Sequence, residues 1–392
     1  MLDWCAVASS LTECQVKLTR IIIKRYRSIR DETIEIGDLN VFIGGNAAGK
    51  STILDALRFL QYGIKDRDFR TTVSGRGGIV HLGWKGEAAN DIRLETQFED
   101  GENLFVWAVS LIRENSAFHV TERVAQSQGT DPPTILLYAD KGAGWWWSGE
   151  KRERVSLAVE PTGCAMAAAA ADASFPARLV AGFINRWGFF DPSPFLLRRD
   201  WAGLSSDRFD PYGRNLAETL HNLANSSPQV LERIVQATRD IIGVPSSIET
   251  RESDGRFYFF QNEPDLDSPV PQLAASSGTL RMLGLMTALL SEPSAKLIGI
   301  EEPENYIHPG ALSCFVDHLR DARARVQFMV TTHSPLLLDY LDDPGAVRVV
   351  RRDGLGGTSV AQENNLANVR KALAESGFSL GQYHETRGFG LD

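Results

Sequence analysis

The chain has 392 residues, 43% of them apolar and 23% charged, with a formal net charge of −9. That length accommodates one large domain with insertions or two ordinary ones, and the composition is that of a soluble globular protein. The acidic balance argues against a protein that coats nucleic acid with its whole surface, while leaving room for a local basic groove. The cysteines Cys5, Cys14, Cys164 and Cys314 form no CxxC pair and no metal-ligand spacing, and read as reduced thiols of a cytosolic protein. No apolar run approaches the roughly 20 residues that span a bilayer. The expected location is therefore the cytoplasm, with no membrane partner. The opening MLDWCAVASSLTECQ carries Asp3 and no basic leader, so it is a poor signal peptide. Residues 1–16 read as an N-terminal extension, and fold reasoning begins at Lys17.

The first informative stretch is LNVFIGGNAAGKSTILDALRFLQ, Leu39 to Gln61. An apolar strand enters a glycine-rich turn, and Ile53, Leu54, Leu57 and Leu60 then recur at helical spacing. Gly44, Gly45, Asn46, Ala47, Ala48, Gly49, Lys50 and Ser51 fit G-x-x-x-x-G-K-[ST], the phosphate-cradling P-loop. Small residues let backbone N–H groups approach phosphates, and the helix N-terminus adds partial positive charge. Lys50 is placed for the β- and γ-phosphates, Ser51 for Mg²⁺, and Thr52 one residue along the same turn towards the α-phosphate.

A long insertion follows. Alternation in IRLETQF and NLFVWAVSLI, with a turn at EDGEN, predicts an antiparallel meander over 91–124. In GWWWSGEKRER, 144–154, three consecutive tryptophans cannot share one face of a strand, so at least one is expected exposed or against a partner. A core strand edge backed by a solvated charge run competes with a nucleic-acid stacking surface there, and is favoured. TGCAMAAAAADAS reads as a short helix or a flexible segment. NLAETLHNLANSSPQVLERIVQATRDIIG predicts two helices broken at Ser226–Pro228 and closed by Gly243.

Three motifs close the chain. LAASSGTLRMLGLMTALL, 273–290, opens with Ser276, Ser277, Gly278 and Thr279 and continues as an apolar helix. KLIGIEEPENYIHPG, 296–310, drives a buried-looking strand into Glu301, Glu302 and Glu304. Acids at a strand tip are costly unless something cationic meets them. In P-loop enzymes such a strand ends beside the P-loop, which assigns Glu301 to the metal and Glu302 to orienting the attacking water. VQFMVTTHSPLLLDYL, 326–341, is an apolar strand leading to His333.

These motifs, in this order, resemble ABC-type ATPases of the RecF-like and OLD-like, SMC-related branch, in a stand-alone form without coiled coil or fused nuclease. The aromatic–Arg–Ser turn in IKRYRSIRDE also resembles that branch. The resemblance implies an α/β P-loop NTPase fold: an ABC-type head with a mixed central sheet, an antiparallel β lobe and an inserted helical lobe. On this basis 17–392 form one head, and 62–271 contain the β region and the helical lobe. It further implies ATP and Mg²⁺ as ligands and a head-to-head homodimer. In that dimer Ser276, Ser277 and Gly278 face the nucleotide of the other head, and His333 senses the γ-phosphate. A glutamine ligand to the metal is also implied, with Gln97 the leading candidate beside Gln126 and Gln128. Arg27 is a candidate phosphate contact, or part of a solvated basic face; His308 is expected to be structural. Ala275, Ser277, Ala47 and Glu301 depart from the commoner residues of the group without removing a required charge. The expected function is ATP hydrolysis driving a conformational switch in DNA maintenance or anti-phage defence, with DNA or RNA and a neighbouring gene's effector protein as candidate partners. The alternative is a nucleotide-gated scaffold that holds an effector with little turnover. A transporter motor is disfavoured by the long insertion, and too little chain follows Pro335 for a nuclease domain.

Overall fold

In the computed structural model of the protein, residues 16–85, 91–199, 208–291, 295–354, 356–362 and 366–386 are described. Of the expected N-terminal extension only Val16 is among them; Cys5 and Cys14 lie outside. The strands, in chain order, are β1 (Lys17–Tyr26), β2 (Ile29–Glu35), β3 (Leu39–Ile43), β4 (Asp91–Asp100), β5 (Asn103–Glu114), β6 (Ala117–Gln128), β7 (Thr134–Asp140), β8 (Ala143–Ser148) and β9 (Glu153–Ala158). They continue with β10 (Trp187–Phe190), β11 (Ser247–Ser253), β12 (Arg256–Asn262), β13 (Val270–Pro271), β14 (Leu297–Glu301), β15 (Gln327–Thr332), β16 (Val347–Arg352) and β17 (Thr358–Gln362). The chain divides into two compact units, one comprising 1–22, 62–80 and 90–185, the other 23–61, 81–89 and 186–392.

In the first unit the strands run in the order β1-β4-β5-β6-β7-β8-β9, antiparallel from β4 to β9. The expected meander is present and extends past residue 124 to Ala158. The alternation that predicts it is the burial pattern of the strands, with Ile92, Leu94, Thr96 and Phe98 inward on β4. The tryptophan run obeys the same period. Trp146 is buried edge-on against Phe175 at 5.9 Å, while Trp145 and Trp147 lie half-buried on the opposite face. The Arg154 guanidinium stands 4.0 Å above the Trp145 ring, a cation–π pair that covers part of it.

A carboxylate lies in the core of this unit. Glu122, on β6, is 1% exposed and accepts from Trp107 Nε1 at 3.0 Å, Ala165 N at 2.5 Å and Met166 N at 3.2 Å. It thereby serves the free N–H groups at the start of the short helix Ala165–Ala169, in the alanine-rich segment. Burial pushes its pKa up to about 7, against the opposing pull of these donors.

The second unit is built on a sheet of order β10-β14-β15-β3-β16-β17, parallel throughout except for the edge strand β17. All five residues of β3 are buried, as a central parallel strand requires. One face of the sheet presents Val41, Ile43, Ile298, Ile300, Phe328 and Val330 to a core shared with the helices Ser277–Leu290 and Leu312–Ala322. Buried Asn40 ties β3 to β15 by donating to Phe328 O at 3.0 Å. The two helices foreseen downstream are Leu216–Ser226 and Pro228–Ile242, the second ended by Gly243 in the left-handed region at φ 84°. They pack with a small sheet of order β11-β12-β13. No described helix is long and apolar enough to cross a membrane.

Glu122 generates a pH prediction. Its folded pKa lies above the ordinary 4.5, so its contribution to stability is complete below that value and is lost as pH rises through about 7. Relative to Glu122→Gln, which keeps an acceptor for Trp107 and the helix N-terminus, the parent should lose on the order of 3 kcal/mol between about pH 5 and 8. Denaturant midpoints of both proteins across that range check it; parallel profiles would contradict the burial argument.

Candidate active site

The register of three parallel strands determines what meets at their C-terminal ends. Thr332 pairs with Ile43, and Glu301 with Thr331. The segments that follow β3, β14 and β15 therefore leave the sheet side by side, the usual place for a ligand in a parallel sheet. They are the P-loop, the acidic turn and the histidine turn.

The P-loop leaves β3 as a tight turn. Gly49 takes φ 111° and Ala47 φ 59°. Left-handed residues interleaved in such a turn orient successive N–H groups towards one concavity. Nor is there space for larger residues: a Cβ at Gly44 would sit 2.0 Å from Val350 O, and one at Gly49 2.0 Å from Thr358 Oγ1. The loop is backed by Thr358, which donates to Ala48 O at 2.9 Å and contacts Ser28 Oγ at 2.8 Å; Ser28 in turn reaches Thr52 Oγ1 at 3.1 Å. Arg352 Nε donates to Ala47 O at 3.1 Å.

Lys50, 4% exposed, begins the 17-residue helix Lys50–Asp66. Its Nζ donates to Gly44 O at 2.9 Å and Gly45 O at 3.2 Å and lies 2.9 Å from His333 Nε2. That same imidazole nitrogen is 2.8 Å from Glu302 Oε1. One nitrogen cannot serve both: protonated it donates to Glu302, unprotonated it accepts from Lys50. Burial lowers the Lys50 pKa, opposed by Glu302, Glu304 and Glu301 in that order.

The acids divide by environment. The pKa of Glu301 is raised chiefly by burial, with a hydrogen bond from Ser51 and the charge of Arg58, 3.4 Å away, pulling it back down. Glu302 sits at φ 44°, its N–H donating to Thr331 O at 2.9 Å and its Oε2 accepting from Asn305 at 2.9 Å. A left-handed glutamate is uncommon backbone, of the kind that persists where neighbours over-determine it. Glu304 accepts from Thr332 Oγ1 and His333 N, both at 2.7 Å, and so holds the histidine turn.

The site residues fit a magnesium–nucleotide pair. A Cβ at Gly44 or Gly49 would clash, and Ser51 lies near enough to Glu301 to pull its pKa down. No group of three or more His, Cys, Asp or Glu side chains that could hold a metal occurs among the described residues. Mg²⁺ does not require one, since it is commonly held by one or two protein oxygens together with substrate phosphates and water.

The other expected residues are placed as follows. Ser276 is the exposed N-cap of the helix Ser277–Leu290, accepting from Thr279 N at 3.0 Å. Ser277 instead accepts from Arg198 at 2.9 Å within its own chain. Gly278 packs against the acidic turn, where a Cβ would come 2.8 Å from Tyr306 O. Arg27 pairs with Asp55 at 3.2 Å and stays partly exposed. His308 caps its own turn, accepting from Gly310 N at 3.1 Å, in accord with a structural role. Gln97 lies mid-strand on β4 of the first unit, opposite Val106. On β6, Gln126 donates to Asn103 Oδ1 at 2.8 Å and Gln128 to Glu102 at 3.4 Å.

Arg281 escaped the sequence reading. It is 1% exposed and donates to Glu301 O at 2.6 Å, Glu302 O at 3.0 Å, Pro192 O at 2.5 Å and Asp191 Oδ1 at 2.7 Å. An arginine in an apolar helix was the available signal, because a buried cation must have partners. Arg281→Ala should cost at least about 3 kcal/mol by leaving those acceptors unpaired. Arg281→Lys should rescue little, since one ammonium cannot reproduce the planar fork. Melting curves of the three proteins test this; near-equal midpoints would refute it.

The sequence matches, over residues 39–339, the family described as AAA domain, putative AbiEii toxin, Type IV TA system. No curated protein matches the chain. Among solved structures, an SMC head bound to the C-terminal winged-helix domain of ScpA aligns with a TM-score of 0.56 at 11% identity, covering 90% of this chain and 99% of that one. An SMC head with an extended coiled coil, bound to the C-terminal domain of ScpA derived from Pyrococcus furiosus, gives 0.52 at 11% identity over 93% and 100%. These likenesses establish the fold, that of an SMC-type ABC ATPase head. With its P-loop, acidic turn and histidine turn all inside the matched span, the chain belongs to the AAA-domain family of putative AbiEii toxins.

Proposed function

We propose that the protein is a Mg²⁺-dependent ATPase that works as a head-to-head dimer. The observation that carries this reading is the meeting of Lys50 and Glu302 on one nitrogen of His333, at 2.9 and 2.8 Å, at the ends of three adjacent parallel strands. In this reading the P-loop N–H groups and Lys50 bind the β- and γ-phosphates, as Ser51 and Glu301 hold Mg²⁺. The metal supplies charge neutralisation on the phosphate oxygens. Glu302 orients the attacking water and takes its proton, and His333 couples that carboxylate to the γ-phosphate position. Catalysis rests on placing charge before the reaction rather than on covalent chemistry.

Dimerisation is supported by the exposed helix N-terminus at Ser276, flanked by Leu273 and Tyr306, each 66% exposed. Such apolar side chains beside a phosphate-seeking helix start suit closure over a second nucleotide. The family description, with its toxin–antitoxin reference, supports a role in defence or growth control, and the ScpA-bound relatives support regulation through a partner protein.

Lys50→Ala should remove measurable Mg·ATP binding in calorimetry. Glu302→Gln should bind ATP normally and lower kcat by about 10²–10⁴. If the Glu302 variant hydrolyses ATP as fast as the parent, the assignment of the general base is wrong. In light scattering, the Glu302→Gln protein with ATP should have twice the monomer mass. Adding Ser276→Arg should return it to monomer while ATP still binds each P-loop; a persistent dimer would move the interface elsewhere.

A further inference from the structure

A cavity of about 290 Å³ opens in the first unit, lined wholly by residues of that unit. Its polar lining is Lys65, Arg67, Arg178 and Asn185, over a floor of alanine and glycine that includes Ala167 and Ala181. Among the described residues no carboxylate lines it. Asp66 and Asp68 flank Arg67 in sequence but are not part of the wall, and Asp68 is turned to Arg70 N, 2.6 Å away.

The two arginines are held in place by their backbones and left open at their side chains. Arg67 occupies the left-handed region at φ 57°, its carbonyl accepting from Cys164 N at 2.9 Å. Arg178 opens the helix Arg178–Asn185, its N–H donating to Phe175 O at 3.1 Å. Neither guanidinium has a hydrogen bond or ion pair among the described residues. Arg281, Arg320 and Arg348, by contrast, have acids or carbonyls as partners. Lys65 differs, because it lies in the last turn of Lys50–Asp66, where a cation already answers the free helix carbonyls.

Two guanidiniums on one concave wall repel unless an anion lies between them, and their planar forks match phosphate oxygens in pairs. The floor of small side chains admits a ligand close to the backbone. Among the described residues no aromatic ring lines the cavity, so the base stacking that holds single-stranded nucleic acid has no platform there. The volume lies near the lower end of the range for small-molecule sites, roughly 300–1,000 Å³. We propose that this cavity binds a small phosphate-bearing ligand through Arg67 and Arg178, with Lys65 and Asn185 at its rim, as an anion site separate from the P-loop.

Inorganic pyrophosphate is the probe. Calorimetry on the Lys50→Ala protein, which lacks the P-loop cation, should give one equivalent bound. Adding Arg67→Asn, which tolerates left-handed backbone, and Arg178→Gln should weaken binding by at least about tenfold. Absence of heat with Lys50→Ala, or equal affinity in both proteins, would overturn the proposal. Hydrogen exchange on the unmodified protein gives a second reading free of substitutions. Pyrophosphate should protect amides within 62–68 and 165–185, whereas protection of these segments by an oligothymidylate and not by pyrophosphate would overturn the small-ligand assignment. Both readouts stand whether or not the P-loop hydrolyses ATP.

Discussion

The arrangement depends on a buried lysine held beside three glutamates at the tips of parallel strands. Either charge alone would be costly to bury; together, with glycine carbonyls taking the ammonium hydrogens, they are tolerable. The parallel register makes the meeting obligatory. Once Thr332 is opposite Ile43 and Glu301 opposite Thr331, the P-loop, the acids and the histidine have nowhere else to emerge. A one-residue slip of β14 would turn Ile298 and Ile300 off the core face and withdraw Glu301 from Ser51.

A second layer of contacts fixes the tips themselves. Arg281 binds the carbonyls of both acids and the Asp191–Pro192 turn, so the helix that carries Ser276 at its head is bonded to the backbone of the residues it is read with. Movement of that helix must carry the acidic turn with it or break these bonds. Glu304 performs the same office for the histidine turn, and Thr358 with Ser28 for the P-loop. The chemistry-bearing side chains are few, and the groups that position them come from all along the chain.

Much of this was legible before any coordinates. G-x-x-x-x-G-K-S between a strand and a helix is specific because so few backbones allow both the close approach and the left-handed turn. Period-two alternation announced the meander, down to the odd tryptophan turned inward. The break at Ser226–Pro228 and the stop at Gly243 follow from proline and glycine stereochemistry. The supports were not legible. Thr358 is one threonine among many until β17 brings it behind Gly49, and Ser277, an expected cross-dimer residue, is engaged by Arg198, 79 residues away in sequence. Such pairings have no local pattern.

By itself the sequence determined the local chemistry: which loop can cradle phosphate, which strand ends in acid, which segments alternate or repeat at helical spacing. These are short-range consequences of side-chain size, charge and backbone freedom. Only the tertiary structure decided that His333 lies between Lys50 and Glu302, that Arg281 is the clamp beneath the acids, and that Arg67 and Arg178 share one cavity wall. Those facts depend on strand order and register, which arise from packing the whole chain at once and are written in no single segment of it.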